Sequence, residues 1–325
     1  RYGTGFPSRT VYQIPSATLA GRDPLTVAKT ATTLMLGVKR AYSLLGRVKP
    51  AAIIGFGGYP TFPPLIAAGL RHIPTVVHEQ NAVLGRANRM LAKRVSVIAT
   101  SFPSVRNIEP SLAAKIRFTG NPVRDQVVAL AGRAYEKVVP DGRFRLVVFG
   151  GSQGARYFSD TVPPALAGLP AADKARLLVV QQAREEDLDR VRQAYTLAEI
   201  APFFKDLPER MAAAHLVIAR AGASSIAELT VLGRPSLLVP LPHALDNDQL
   251  YNATRLAESG GGWCIEQKNL DSDRLRVDVG SLMTSPDRLE AAAIAAKKQG
   301  RPDAVQRLAD IVDELTHAHT GRVGV

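Results

Sequence analysis

Short apolar runs that end in a glycine-rich or polar turn and give way to a helix-like stretch recur along the whole chain. Residues 51–56 (AAIIGF) lead into Gly57-Gly58-Tyr59-Pro60 and a helix-like 65–70. The runs 74–78 (PTVVH) and 95–100 (VSVIAT) follow, with a helix-like 87–93 between them. After Pro122 the pattern resumes at 144–149, 176–181, 216–219 and 235–240. Periodicity alone does not assign each short run, but their alternation with helical stretches reads as βαβ units and parallel sheets. The expected fold class is therefore α/β.

A chain of 325 residues is long enough for about two domains. The clearest break is Thr119-Gly120-Asn121-Pro122-Val123-Arg124, where glycine, asparagine and proline follow a strand-like 116–118. A second loose point is Gly300-Arg301-Pro302, beyond which 304–315 reads as a helix. The expected division is 1–122, with 302–325 returning to it, and 123–301. Hydrophobic residues make up 46% and charged residues 22%, which excludes disorder and coiled coil as the main state. Cys264 is the single cysteine, so no internal disulfide framework or Cys-rich zinc site is possible, and a reducing compartment fits best. No metal-ligand spacing stands out among the six histidines. No apolar run approaches the ~20 residues of a spanning helix, and no signal-peptide pattern opens the sequence.

The net charge of +12 is unevenly placed. Residues 1–120 carry 16 Lys and Arg against 3 Asp and Glu, and the remainder is nearly balanced. A basic domain joined to a neutral one points to an anionic partner for the first alone: nucleic acid, an anionic membrane surface or a phosphorylated substrate. Helix-like residues 25–47 bear on this choice. At ~100° per residue, Val27, Ala31, Leu34, Val38, Ala41, Tyr42 and Leu45 share one arc, the expected core face. Lys29, Arg40 and Arg47 lie opposite, interspersed with Leu25 and Leu36. Leucine between cations is the pattern of an interfacial membrane helix; burial on two sides or a dimer contact gives the same pattern.

Three glycine-rich turns follow predicted strands: GFGGY from Gly55, GGSQGA from Gly150 and AGASS from Ala221. A helix beginning after such a turn offers free N–H groups and a positive dipole end, suited to phosphate or diphosphate. In open α/β sheets ligands bind at these strand ends. None of the turns is a G-x-G-x-x-G dinucleotide fingerprint, no P-loop is present, and no G-x-S-x-G occurs, which disfavours an NAD-dependent oxidoreductase, a P-loop kinase and a nucleophile-elbow hydrolase. Glu228, in the first turns of the helix after AGASS, can accept hydrogen bonds from both hydroxyls of a ribose, or simply be solvated near a helix N-terminus. His78-Glu79-Gln80-Asn81 puts four polar side chains at a strand end, and Asp246, Asn247, Asp248, Gln249 and Asn252 form a second polar cluster. Amides both donate and accept, which suits sugar hydroxyls.

In order along the chain, GFGGYPTFPPLIAA, HEQNAVLGRANRMLA, GNPVR, GGSQGA, ARAGASSIAEL and LPHALDNDQLYNA resemble the lipid II-forming GlcNAc transferases of glycosyltransferase family 28. The resemblance covers nearly the whole chain. It implies a GT-B fold, two Rossmann-like doubly wound parallel-sheet domains facing a cleft. It implies inverting transfer of GlcNAc from UDP-GlcNAc to the 4-hydroxyl of the MurNAc-pentapeptide of an undecaprenyl-pyrophosphate-linked acceptor lipid, at the cytoplasmic face of the inner membrane. The first domain would take the acceptor and the membrane, the second the sugar nucleotide. No tightly bound metal or other cofactor is implied, and no nucleic-acid partner.

Residue by residue, Asn81 matches an asparagine at the donor GlcNAc, Arg124 an arginine near the uridine and Ser152 a serine at the phosphates. Ala223, Ser224, Ser225, Ile226, Ala227 and Glu228 match the loop and helix start around diphosphate and ribose, with Ser225 in place of the commoner threonine. Gln249 and Asn252 match amides that read the GlcNAc hydroxyls. Phe204 falls where the family has an apolar residue whose backbone meets uracil, although a core phenylalanine is the alternative. The family's G-G-T-G-G-H loop, with a histidine near the reaction centre, would precede Arg1, so no catalytic residue is assigned here; His78 and Glu79 are the candidates for base chemistry within the sequence. The rival readings are a UDP-GlcNAc 2-epimerase or other lipid glycosyltransferase of the same fold, and a basic nucleic-acid-binding protein. The latter is disfavoured by 6% aromatic content and the lack of a recognisable RNA-binding motif.

Overall fold

A computed structural model describes residues 10–18, 23–150, 156–195 and 198–323. The chain forms two compact units. One comprises residues 1–80, 84–118 and 307–325, the other residues 81–83 and 119–306.

In the first unit a parallel sheet is built from β1 (Ile53–Gly55), β2 (Thr75–Glu79), β3 (Val97–Thr100) and β4 (Ile116–Phe118), in sequence order. Helices α1 (Pro24–Val48), α2 (Phe62–Leu70) and α3 (Arg86–Leu91) accompany it. Strand β2 is buried at every position, as a central parallel strand covered on both faces must be. Alternate residues face opposite ways: Val77 and Ile98 pack with Leu65, Leu84 and Leu91, while Val76 and Ala99 meet Leu308 and Ile311 of the C-terminal helix Ala304–Val323.

Helix α1 starts where Asp23 Oδ1 accepts from the Thr26 amide at 2.8 Å and Pro24 occupies the first turn. Its buried face is Thr30, Leu34, Gly37, Ala41 and Leu45. This corrects the expected arc: Val27, Ala31 and Tyr42 are exposed. The helix is rotated because Gly37 forms the close contact. A Cβ there would lie 2.2 Å from the Pro15 carbonyl oxygen and 3.1 Å from the Pro63 ring, so the backbone approaches where hydrophobicity alone gives no signal.

The second unit contains β5 (Phe144–Phe149), β6 (Leu177–Gln182), β7 (Ala198–Ala201), β8 (Leu216–Ala219), β9 (Ser236–Leu238) and β10 (Gly262–Cys264), all parallel. Their order is β10-β9-β8-β5-β6-β7. The chain therefore winds outward from β5 to β7, returns to β8 beside β5, and winds outward the other way. A reversal of this kind opens a crevice at the C-terminal ends of the two central strands. Two short helices, α4 (Asp125–Ala129) and α5 (Arg156–Ala167), precede and follow β5. Phe144, Leu146, Val148, Leu216 and Ile218 of the central strands form the core with Phe158, Val162, Leu275 and Leu289. Gly120 opens this unit with φ +83°, and a Cβ on it would meet Arg301 Cβ at 2.4 Å, which is why a glycine stands at the break.

Candidate functional site

The reversal between β5 and β8 brings the C-terminal ends of these two strands side by side. The first leads to Gly150, beyond which Ser152 and the rest of GGSQGA lie outside the described residues. The second leads to Ala221-Gly222, where the chain leaves β8 and enters the helix Ala223–Leu232. Gly222 is the N-cap in extended conformation and no side chain caps the helix, so the amides of Ala223, Ser224 and Ser225 have no acceptor within it. Ser224 is exposed, Ser225 and Ala227 are half-buried, and Ile226 is buried in the core.

Glu228 lies one turn further on and is only 9% exposed. It is not the solvated carboxylate that a helix start allows. Arg124 Nε donates to Oε1 and Nη2 to Oε2, each at 2.8 Å, and the carboxylate holds the guanidinium above its ordinary pKa. Arg124 is the N-cap residue of α4, placed by the Gly120–Pro122 turn. Two expected site residues 104 positions apart thus form one ion pair.

A second pair is equally direct. Asn252, on the helix Asp248–Glu258, is fully buried. Its Oδ1 accepts from the Ala82 amide at 2.7 Å, and its Nδ2 donates to Asn81 Oδ1 at 2.9 Å and to the Ala221 carbonyl at 3.2 Å. Asn252 therefore ties the Asn81 segment to the turn after β8, and both its amide protons are engaged. Gln249 Oε1 accepts from the Leu241 amide at 3.0 Å, which leaves the other end of its amide available as a donor. The loop before this helix carries three left-handed non-glycine residues, His243, Asp246 and Asn247, with φ of 54–57°. Left-handed residues cluster at ligand-binding turns, where surrounding contacts enforce them.

Phe204 is half-buried rather than a core residue, and the Arg210 guanidinium lies 4.6 Å above its ring. Gln182 supports this side: its Nε2 donates to the Pro202 carbonyl at 2.9 Å and its Oε1 accepts from the Gly150 amide at 3.4 Å.

Sequence reasoning passed over Gln182 and Arg220. Arg220 is 8% exposed and donates to the Val239 and Pro240 carbonyls at 3.2 and 3.1 Å and to Gln267 Oε1 at 2.7 Å. It lies 5.3 and 5.1 Å from the rings of Tyr157 and Phe158. It joins the ends of β8 and β9 to the start of α5. The signal was visible as a lone arginine directly after an apolar strand and before a glycine turn.

In the first unit, Gly57 and Gly58 both have φ near +70°, as a tight strand-to-helix turn needs. His78 is fully buried, with Gln80 Nε2 at 3.0 Å from Nδ1 and the Phe56 ring at 5.7 Å. Glu79 is 2% exposed, and its Oε2 accepts from the Gly85 amide at 2.8 Å and from Asn88 Nδ2 at 2.7 Å. The Glu79 side chain thus braces the turn into α3, while the His78 ring is held by Gln80 and Ser101, the latter 3.5 Å from Nε2. Among the described residues no three His, Cys, Asp or Glu side chains converge to hold a metal ion.

On the other side of this unit, Leu25 is 83% and Met35 72% exposed, with Leu36 and Tyr42 also open among Lys29, Lys39, Arg40 and Arg47. A cavity of about 560 Å³ between α1 and α2 is lined by Leu34, Val38, Phe62, Ile66 and Leu70, among others. No helix in the described residues is long and apolar enough to cross a membrane.

Two family models match the chain: "Glycosyltransferase family 28 N-terminal domain" over residues 10–100 and "Glycosyltransferase family 28 C-terminal domain" over 145–308. A protein of Methylobacterium sp. (strain 4-46) is 51% identical over 323 residues, 98% of this chain and 87% of the relative. One of Rhodopseudomonas palustris is 50% identical over 319 residues, 97% and 87% of the two chains. Both are named UDP-N-acetylglucosamine–N-acetylmuramyl-(pentapeptide) pyrophosphoryl-undecaprenol N-acetylglucosamine transferase. Among solved structures, MurG of Acinetobacter baumannii aligns with a TM-score of 0.76 at 27% identity, over 93% of this chain and 84% of that one. A UDP-GlcNAc 2-epimerase of Neisseria meningitidis, bound to UDP-GlcNAc, shares the fold at TM-score 0.61 and 14% identity, over 90% and 84%. With these likenesses the two parallel-sheet units are of the GT-B class.

Proposed function

From the premise that this chain belongs to glycosyltransferase family 28, we propose that it transfers GlcNAc from UDP-GlcNAc to the 4-hydroxyl of the MurNAc-pentapeptide of an undecaprenyl-pyrophosphate lipid, with inversion at the anomeric carbon. The acceptor oxygen forms the new bond to that carbon, the bond to the β-phosphate oxygen breaks, UDP leaves with the electron pair, and the hydroxyl proton passes to a base.

The observation that carries this reading is the strand-order reversal at β5 and β8, where open α/β sheets bind ligands, with a helix N-terminus that no side chain caps and a buried carboxylate one turn into that helix. The amides of Ala223, Ser224 and Ser225, which no side chain among the described residues caps, suit the diphosphate and the charge that grows on it as UDP leaves. On its sequence match alone, Ser152 would serve the same phosphates. Glu228 would receive the ribose hydroxyls and Arg124 would serve the uridine side. The loop holding Phe204 would meet uracil through its backbone. Asn81 and the Gln249 amide would read the sugar, and Asn252, with both protons engaged, would act by fixing Asn81. Ile226 and Ala227 hold the helix start against the core. We assign the proton transfer to neither His78 nor Glu79, because both are buried and already engaged, His78 with Gln80 and Ser101 and Glu79 with the turn into α3. No metal or other cofactor enters this scheme.

The first unit would take the lipid-linked acceptor, and the exposed leucines and cations of α1 would rest on an anionic membrane surface at the cytoplasmic face. The same basic excess is read here as lipid recognition and not nucleic-acid binding, because apolar residues are interspersed with the cations.

The test is transfer of sugar label from UDP-GlcNAc to a lipid-linked MurNAc-pentapeptide diphosphate, without added divalent metal. Labelled lipid and one UDP per transfer are expected, with a Glu228→Ala variant raising the KM for UDP-GlcNAc by at least about thirtyfold through loss of a charged hydrogen-bond acceptor. Conversion of UDP-GlcNAc without acceptor would instead indicate an epimerase.

A further inference from the structure

Glu228 is the carboxylate to which the donor's ribose is assigned, yet both its oxygens already have a partner. The Arg124 guanidinium meets them fork to fork at 2.8 Å. Two N–H donors side by side present the same pattern as two vicinal hydroxyls: a pair of protons matched to a pair of carboxylate oxygens. The carboxylate is buried, so water cannot readily take the guanidinium's place. The Arg124 side chain is 44% exposed, and its aliphatic stem leaves it room to move aside.

We propose that Arg124 is a built-in stand-in for the ribose diol, held on Glu228 before the nucleotide arrives and displaced by it, and that it thereby sets how strongly the site distinguishes a ribonucleotide from a 2′-deoxyribonucleotide. The inference rests on the reading of Glu228 as the ribose acceptor.

The fate of one carboxylate oxygen distinguishes the two nucleotides. When UDP binds, two hydroxyls replace two N–H donors and the buried carboxylate remains fully satisfied. When 2′-deoxy-UDP binds, one oxygen loses its hydroxyl. With arginine at 124, a guanidinium N–H can return to that oxygen and the loss is softened. Without it, the oxygen stays buried and unpaired, at the full desolvation cost. Arg124 therefore lowers ribose selectivity, and its removal raises it. An arginine that merely touched the nucleotide elsewhere would weaken both ligands alike.

Calorimetric titration of UDP and 2′-deoxy-UDP into the full chain and into Arg124→Met and Arg124→Lys variants tests this, with thermal melting as the check on folding. The ratio of the two dissociation constants is expected to stay within roughly fivefold for the unaltered chain and to grow by about tenfold or more in Arg124→Met. Lysine keeps the charge but lacks the fork, so Arg124→Lys is expected to fall between them and provides the measurement if the methionine variant does not fold. An unchanged ratio, with both ligands weakened equally, overturns the proposal. A Glu228→Gln variant separates the underlying reading: if it binds both ligands as the unaltered chain does, the ribose assignment itself fails.

Discussion

The two units share one grammar of strand, glycine turn and helix, and they use it differently. In the first unit the strands lie in sequence order; in the second the order reverses at β5 and β8. At the reversal the second unit gathers polar residues from distant segments: Glu228 with Arg124, and Asn252 with Asn81. The first unit spends its strand-end polar residues on its own turn, as Glu79 does with Gly85 and Asn88. It leaves apolar side chains open instead, on a helix studded with lysine and arginine. Chain topology, more than the residue types at strand ends, decides which unit can enclose a small polar ligand. The charge split fits: the basic excess belongs to the part with the exposed apolar helix, and the balanced part is the one whose strand order reverses.

The comparison is broken most forcefully by removing a buried arginine from the second unit. Arg234 is 1% exposed, and it donates to the carbonyls of Ala212, Gly233, Arg133 and Ala134 at 2.6–3.3 Å. Burial pushes its pKa down to about 10. Arg234→Met would leave several of those carbonyls without a donor, and a loss of about 3–5 kcal/mol is expected. Trp263 is the single tryptophan and lies in the second unit, so its fluorescence reports that unit's melting. The melting temperature should fall by at least about 6 °C; an unmoved Trp263 transition would show that the carbonyls find other partners.

A smaller effect comes from His215. Burial and then the nearby Arg145 charge push its pKa down to about 4. It is 2% exposed, its Nδ1 accepts from the Arg145 amide at 3.1 Å, and Arg145 Nη2 is 2.8 Å from Nε2. The unfolded chain binds a proton there near pH 6.5, the folded chain only near 4. Stability from keeping this ring neutral is therefore complete above about pH 6.5 and is lost as the pH falls toward 4, by up to about 3 kcal/mol. Trp263-monitored denaturation at pH 7 and pH 4.5 should show the loss, and His215→Phe should flatten it. An unchanged slope in the variant would assign the acid sensitivity elsewhere.

Much of the fold was legible because apolar runs of strand length, ended by glycine or proline, carry their own boundaries. The strand order was not, since the reversal at β8 depends on packing between elements far apart in the chain. Hydrophobicity alone does not mark the buried face of α1, because Gly37 forms the close contact with Pro15 and Pro63. At the site, Glu228 was legible from its place in a helix start, but not its ion pair with a residue 104 positions away. The left-handed run at His243, Asp246 and Asn247 gave only a compositional hint, because asparagine and aspartate tolerate this conformation without requiring it.

The mildest test addresses the first unit's surface alone. Leu25, Met35 and Leu36 point away from the buried face of α1, which is Leu34, Gly37, Ala41 and Leu45, so their exchange for serine leaves the core untouched. If these side chains enter the headgroup boundary while Lys29, Arg40 and Arg47 attract anionic lipid, each removal forfeits apolar transfer energy and leaves the electrostatic attraction intact. The triple variant should bind vesicles of mixed zwitterionic and anionic lipid about tenfold more weakly, roughly 1.4 kcal/mol, with its salt dependence preserved and its UDP affinity unchanged. Sedimentation with vesicles at two ionic strengths measures both contributions. Equal binding by the variant and the unaltered chain would reduce the surface to charge alone, and the apolar openness of α1 would then need another partner. A parallel loss of UDP affinity would show instead that the two units do not divide their work as their different architectures indicate.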